Sequence, residues 1–174
     1  MQINALTIKG KGILNVLMSD VIVEMPFIGQ TAPLLNKKVK GIWDTGATNS
    51  VINKSIVDAL GLKPISMTQV HTASETINAN VYLVNIILPS NVGIQNVRVT
   101  EGVIKGGDML IGMDIINIGD FCVTNHDGKT VMSFRTPSCL EVDYVSEINK
   151  AKLPTRNSSC PCGSNKKYKR CCGA

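Results

Sequence analysis

The chain has 174 residues, of which 44% are apolar and 18% charged, enough apolar mass for one core and too little charge for a disordered polymer. No run approaches the roughly 20 consecutive apolar residues of a membrane-crossing helix, which excludes that class of membrane protein. The net charge of +5 belongs to the tail: seven basic residues from Lys150 onward meet no acidic one, and the other 11 basic residues face 13 acidic ones, a balance of −2.

The amino-terminal stretch does not read as a secretory signal. Lys9 and Lys11 precede a short apolar run, Ile13–Met18, that Asn15 interrupts and Asp20 ends. The expectation is a cytoplasmic protein with reduced thiols and no membrane association. Aromatic residues make up only 4% of the chain, so Val, Ile, Leu and Met must build the core. Short β-branched runs predict strands at Ile13–Met18, Val21–Met25, Val39–Trp43, Val81–Leu88, Val97–Thr100, Phe121–Thr124 and Thr130–Phe134. Turn residues separate them, and Asp127-Gly128 between the last two reads as a hairpin turn. Asn53 predicts the cap of a short helix ending at Leu60, with Gly61 as its stop and Pro64 beyond; a second short helix is expected from Met113 to about Asn117. The fold class is mainly β, a closed or Greek-key barrel with small helices. Composition divides the chain into a domain over 1–145, a polar and basic linker over 146–159 and a cysteine segment over 160–174.

One motif dominates the barrel region: Ile42-Trp43-Asp44-Thr45-Gly46-Ala47-Thr48-Asn49-Ser50-Val51-Ile52. It sets a carboxylate on a tight turn between two apolar runs, where removal from water makes ionisation costly. An Asp-Thr-Gly tripeptide by itself is weak evidence, because an aspartate that caps local amides in a β-turn looks the same. A second segment strengthens it: Met109-Leu110-Ile111-Gly112-Met113-Asp114-Ile115-Ile116 places an apolar pair and a glycine before a short helix.

Together these segments resemble the retropepsin-like aspartic proteases, in particular the bacterial single-lobe branch, over roughly residues 10 to 136. The resemblance implies an acid-protease barrel of one lobe that hydrolyses peptide bonds. Asp44 would be the catalytic carboxylate, Thr45 would hydrogen-bond across a dimer axis, and Gly46 would admit substrate backbone. Gly112 would sit against the turn. A hairpin from Gln69 to Tyr82 would be the flap, with its tip near Ala73, Ser74, Glu75 and Thr76, so that Ala47, Ala73, Ser74 and Glu75 would contact substrate. The chain departs from retroviral members in two respects. Thr48, Asn49 and Met113 stand where those carry the acidic residues and arginine of an ion pair, and the flap tip is poor in glycine.

One chain brings one such carboxylate, whereas amide hydrolysis needs both a base and an acid. The implied assembly is a two-fold homodimer in which Asp44 meets its symmetry mate, with no cofactor for catalysis. Asp114, at the start of a short helix, reads as a cap or a surface charge. There is no His-Glu-x-x-His motif, phosphate loop or Gly-x-Ser-x-Gly elbow. His71 and His126 read as surface loop residues, Cys122 and Cys139 as small core residues.

The last segment, Cys160-Pro161-Cys162 followed after eight residues by Cys171-Cys172, cannot bury a core of its own. Four thiolates around a tetrahedral Zn2+ would order it, and the neighbouring Lys and Arg residues would offset the charge of such a site. The segment is similar to the SEC-C motif of the bacterial preprotein translocase ATPase, which implies Cys160, Cys162, Cys171 and Cys172 as ligands of a structural zinc and a docking role toward an acidic protein or a ribosomal or nucleic-acid surface. The alternative to a protease is a non-proteolytic peptide-binding or scaffolding protein of the same fold that acts through this basic zinc tail.

Overall fold

The computed structural model describes residues 3–26, 35–71, 76–152 and 154–174. Two compact units result, Met1–Cys139 and Leu140–Ala174. Among the described residues, no helix is long and apolar enough to cross a membrane.

The first unit is mainly β. Its strands are β1 (Asn4–Lys9), β2 (Met18–Glu24), β3 (Asn36–Trp43), β4 (Val51–Ile52), β5 (Ser66–His71), β6 (Thr76–Leu88), β7 (Val92–Glu101), β8 (Met109–Ile111), β9 (Asp120–Thr124) and β10 (Val131–Thr136). The order β2-β3-β8-β4-β7-β6 closes on itself, because β6 also pairs with β2 through Ile22–Glu24 and Asn85–Ile87. This is a closed six-stranded barrel, the architecture expected. β5 extends one edge of β6 as an antiparallel hairpin, from Ser66 opposite Val81 to His71 opposite Thr76. A separate sheet, β1-β10-β9, packs Leu6, Met132 and Phe134 into the same core.

Alternation explains the strands. Ser19, Val21 and Val23 of β2 point inward between more exposed neighbours, as do Val39, Gly41 and Trp43 of β3. Trp43, the only tryptophan, stacks on Phe121 at 5.5 Å and tilts against Phe134 at 5.2 Å. Its Nε1–H donates to Ser19 Oγ at 3.0 Å, which satisfies the one polar atom of a buried ring. The residue before Asp44 is thereby locked in place.

The helix over Lys54–Leu60, α1, forms as expected. Asn53 Oδ1 accepts from Ile56 N–H, and Gly61 closes the helix in the left-handed region at φ 59°. The second, α2 (Met113–Ile116), follows Gly112 directly.

Two expectations do not hold, and one strand was not expected. Ile13–Leu17 is a loop rather than a strand: Leu14 N–H donates to Thr130 Oγ1 and Thr130 N–H to Gly12 O, so the backbone is tied to Thr130 and Ile13 and Val16 remain exposed. Strand β1 was not read from the sequence, because its outward face, Ala5, Thr7 and Lys9, dilutes the apolar signal. Cys122 and Cys139 are exposed and not core residues: one faces outward on β9, and the other lies beyond the last strand.

In the second unit the helix α3 (Tyr144–Lys152) lies across the position where composition placed the start of the linker. Asp143 starts it, accepting from Ser146 N–H at 3.0 Å and Ser146 Oγ–H at 2.7 Å. Those two bonds hold the Asp143 carboxyl below its ordinary range.

Candidate active site and candidate metal centre

The aspartate turn is built by β8 passing between the two strands that flank it. β8 runs parallel to β3, with Trp43 opposite Ile111, and antiparallel to β4, with Val51 opposite Leu110. Asp44 N–H donates to Ile111 O at 3.0 Å, and Ala47 N–H to Asp44 O at 3.3 Å. Gly46 N–H donates to Asp44 Oδ1 at 2.8 Å, which orients the carboxylate.

Behind the turn, Gly112 leaves no room for a side chain. A Cβ there would lie 2.6 Å from Asn49 C and 2.9 Å from Ala47 O. Two bonds close the gap: Met113 N–H to Ala47 O at 2.8 Å and Asp114 N–H to Thr48 O at 3.2 Å.

Ser50 is a further residue of the site, beyond those expected from the sequence. This buried hydroxyl accepts from Gly112 N–H at 3.0 Å and donates to Asp114 Oδ1 at 2.8 Å, while Ser50 N–H donates to Asp114 Oδ2 at 3.0 Å. Asp114 is therefore neither a free surface charge nor a helix cap. Its carboxylate fastens β4 to the start of α2, behind the turn where the retroviral ion pair is missing. A serine at the head of an apolar strand was the available signal, but its partners lie 62 and 64 positions away.

Asp44 is half-buried, whereas Thr45 and Gly46 are exposed on the turn. Asp44, Gly46, Ala47, Thr48 and Asn49 open on a cleft of about 560 Å³. Across it stand Thr68, Gln69 and Val70 of β5, so the hairpin overhangs the turn. Among the described residues, Asp44 is the only ionisable side chain that lines this cleft. The remaining expected contacts, Ala73, Ser74 and Glu75, lie outside the described residues.

In the second unit a small hairpin brings the cysteines together. Ser159 pairs with Lys167 antiparallel, Cys160 N–H donates to Lys166 O at 2.8 Å, and Tyr168 N–H donates to Ser158 O at 2.9 Å. The sulfurs of Cys160, Cys162, Cys171 and Cys172 lie within 4.8 Å of one another. A tetrahedral zinc with Zn–S bonds of about 2.3 Å puts its sulfurs about 3.8 Å apart. The contacts Cys160–Cys162 at 3.3 Å, Cys162–Cys171 at 3.5 Å and Cys171–Cys172 at 3.9 Å approach that figure.

The crowded thiols hold their protons unequally. The Ser164 hydroxyl and the Cys160 thiol, with further bonds from Ser164 N–H and Cys171, hold Cys162 down to about 6. Crowding by Cys160, Cys162 and Cys171 pushes Cys172 up to about 12. Four sulfurs this close do not all ionise unless a cation sits among them. The donor set fits Zn2+, which Cys160, Cys162, Cys171 and Cys172 would hold.

Comparison with known proteins gives two matches at different places in the chain. Residues 32–117 match the family model of the gag-polyprotein putative aspartyl protease, and residues 156–174 match that of the SEC-C motif. The tail is 57% identical over 35 residues to the protein translocase subunit SecA of Geobacter sulfurreducens and 53% identical over 34 residues to that of Chlorobaculum tepidum. Each match takes in 20% of this chain but only 4% and 3% of the relative, so the chain spans a few per cent of their length. Among solved structures, a retropepsin-like aspartic protease from Rickettsia conorii aligns over 78% of this chain and 96% of its own, at 15% identity and a TM-score of 0.47. The protease of simian foamy virus (mac) aligns over 58% and 92%, at 15% identity and a TM-score of 0.40.

Proposed function

We propose that this chain, a retropepsin-like barrel joined to a SEC-C motif, is an aspartic endopeptidase that works as a two-fold homodimer. The matched protease family and the barrel support a protease function at the coarse level. The observation that carries the finer reading is Asp44: its carboxylate is oriented by Gly46 N–H and opens on a cleft that β5 overhangs.

In the dimer the two copies of Asp44 face each other. Two carboxylates about 3 Å apart, at an effective dielectric of about 20, repel by roughly 5 kcal/mol, so the pair keeps one proton. The unprotonated member takes a proton from water as that water attacks the scissile carbonyl. The protonated member supports the carbonyl oxygen, and a proton then passes to the departing amide nitrogen. In this reading the exposed Thr45 side chains link the two turns across the axis. Gly46 and Ala47 leave the floor of the cleft open to an extended peptide, and the hairpin of β5 and β6 closes over it.

The SEC-C segment, residues 160–174, is the docking module in this reading. A bound zinc supplies only structural order there. Lys166, Lys167 and Arg170 are exposed beside the thiols and suit an acidic protein or a ribosomal or nucleic-acid surface. In this reading the protein works in the cytoplasm, where the four thiols stay reduced.

The test is to incubate wild-type and Asp44→Asn protein with a mixed peptide library at several pH values, with sedimentation run on both. The wild type should cleave and the variant should not, while both sediment as dimers. Equal cleavage by the two overturns the protease reading and leaves a peptide-binding or scaffolding protein. Cleavage proportional to concentration where sedimentation shows monomer overturns the shared dyad.

A further inference from the structure

The cysteine cluster differs from a buried structural zinc site in one respect: two of its four ligands face solvent. Cys160 is 5% exposed, but Cys162 and Cys172 are exposed and Cys171 is half-buried. The exposed Cys162 sulfur lies 3.5 Å from that of Cys171, which a loop of eight residues separates from it in sequence. The other close pairs are less able to bridge. Adjacent residues hold their Cα atoms about 3.8 Å apart, below the range of about 4.4–6.8 Å of ordinary disulfides, which disfavours Cys171–Cys172. Cys160 is screened from incoming reagents by its burial.

We propose that Cys162 and Cys171 form an oxidation site for hydroperoxides, and that their disulfide disarms the zinc cluster and unfolds the tail. Cys162 Sγ attacks one peroxide oxygen, the O–O bond breaks, and a sulfenic acid forms on Cys162 as hydroxide leaves. Cys171 Sγ then attacks the Cys162 sulfur; the S–S bond forms, the S–O bond breaks, and a second hydroxide leaves. Two electrons pass from the sulfur pair to one hydrogen peroxide. Two protons from solvent convert the hydroxides into two waters. Cys160 and Cys172 alone then offer half of a tetrahedral donor set, and metal affinity falls. The hairpin of residues 158–168 loses what orders it, because it has no apolar core to fall back on.

This inference rests on zinc occupying the cluster but not on proteolysis by the barrel. Its test uses the full-length chain, reduced and loaded with zinc. Metal content is measured first, then hydrogen peroxide is added, released zinc is followed with a chromogenic chelator, and disulfides are located by peptide mapping. Bound zinc should fall at least about tenfold from one per chain, with a Cys162–Cys171 linked peptide appearing in step and a thiol reductant restoring both. In Cys171→Ser, a sulfenic acid should persist on Cys162 and be labelled by dimedone. Retention of zinc while the exposed Cys122 and Cys139 are oxidised would overturn the proposal, and so would mapping of the bridge to Cys160–Cys162. A reduced chain that binds no zinc overturns both the metal centre and its oxidation, without touching the peptidase reading.

Discussion

The two units of this chain are ordered by opposite means. In the barrel, Val23, Val84, Ile86, Val99, Met109, Ile111, Met132 and Phe134 are all at 0% exposure, and its cohesion is the removal of apolar area from water. In the second unit Cys160 is the one buried residue among those described, and four thiols cluster around it. A core of many residues loses a fraction of its stability with each substitution. A four-thiolate zinc cluster of the kind proposed would lose much more with any one ligand.

The sharpest way to test that contrast is to remove the metal. Zinc binding by small cysteine peptides is worth about 10–16 kcal/mol, so a strong chelator should abolish amide-exchange protection over residues 158–171 while leaving the thermal transition of the barrel in place. A barrel transition that moves with zinc content would refute the independence of the two units.

The converse perturbation is smaller. Phe134→Ala opens a cavity beside Trp43 and should cost the barrel about 3–5 kcal/mol by denaturant titration, with zinc content per chain unchanged.

Next comes the brace behind the aspartate turn. Ser50→Ala strands the Gly112 N–H and leaves Asp114 Oδ1 with Ile115 N–H as its remaining donor, and should cost about 1–3 kcal/mol. It should also lower the cleavage rate more than the Michaelis constant rises, because it loosens the turn and not the walls of the cleft. Ser50→Thr keeps the hydroxyl and should retain activity.

The smallest effect concerns acid. Ser138 Oγ–H, Cys139 N–H and the Arg135 guanidinium bond to Asp120 and hold it down to about 2, from 3.8. A depressed carboxyl contributes stability that is fully present above its unfolded value near 3.8 and is lost as pH falls through about 2. Melting temperatures from pH 5 to pH 2 should therefore fall less for Asp120→Asn than for the wild type, and equal slopes would exclude this clamp.

Much of the site was legible because its signals are local. Asp44-Thr45-Gly46-Ala47, the Leu110-Ile111-Gly112 segment and the Asn53 cap with its Gly61 stop each lie within a dozen residues. What escaped the sequence depends on contacts between distant segments. Ser50 has meaning only beside Asp114 and Gly112, and Asp120 only beside Arg135 and Ser138. The loop Ile13–Leu17 looked like a strand because nothing in its composition announces Thr130 as its anchor. The exposure of Cys122 and Cys139 follows from which face of β9 turns outward, and from where the chain leaves β10.

Strand β8 enters between β3 and β4, and this sets an order of events during synthesis. A ribosome that has released residues up to about 100 has exposed Asp44 with β2 beside β3, but the bonds that β8 and Gly112 give the turn are still missing. The centre takes shape only once Met109–Asp114 emerges and threads into the gap, a pairing of high sequence separation and therefore a slow one. A peptidase of the kind proposed would be inert while nascent, its aspartate turn maturing only after nearly the whole barrel has left the exit tunnel.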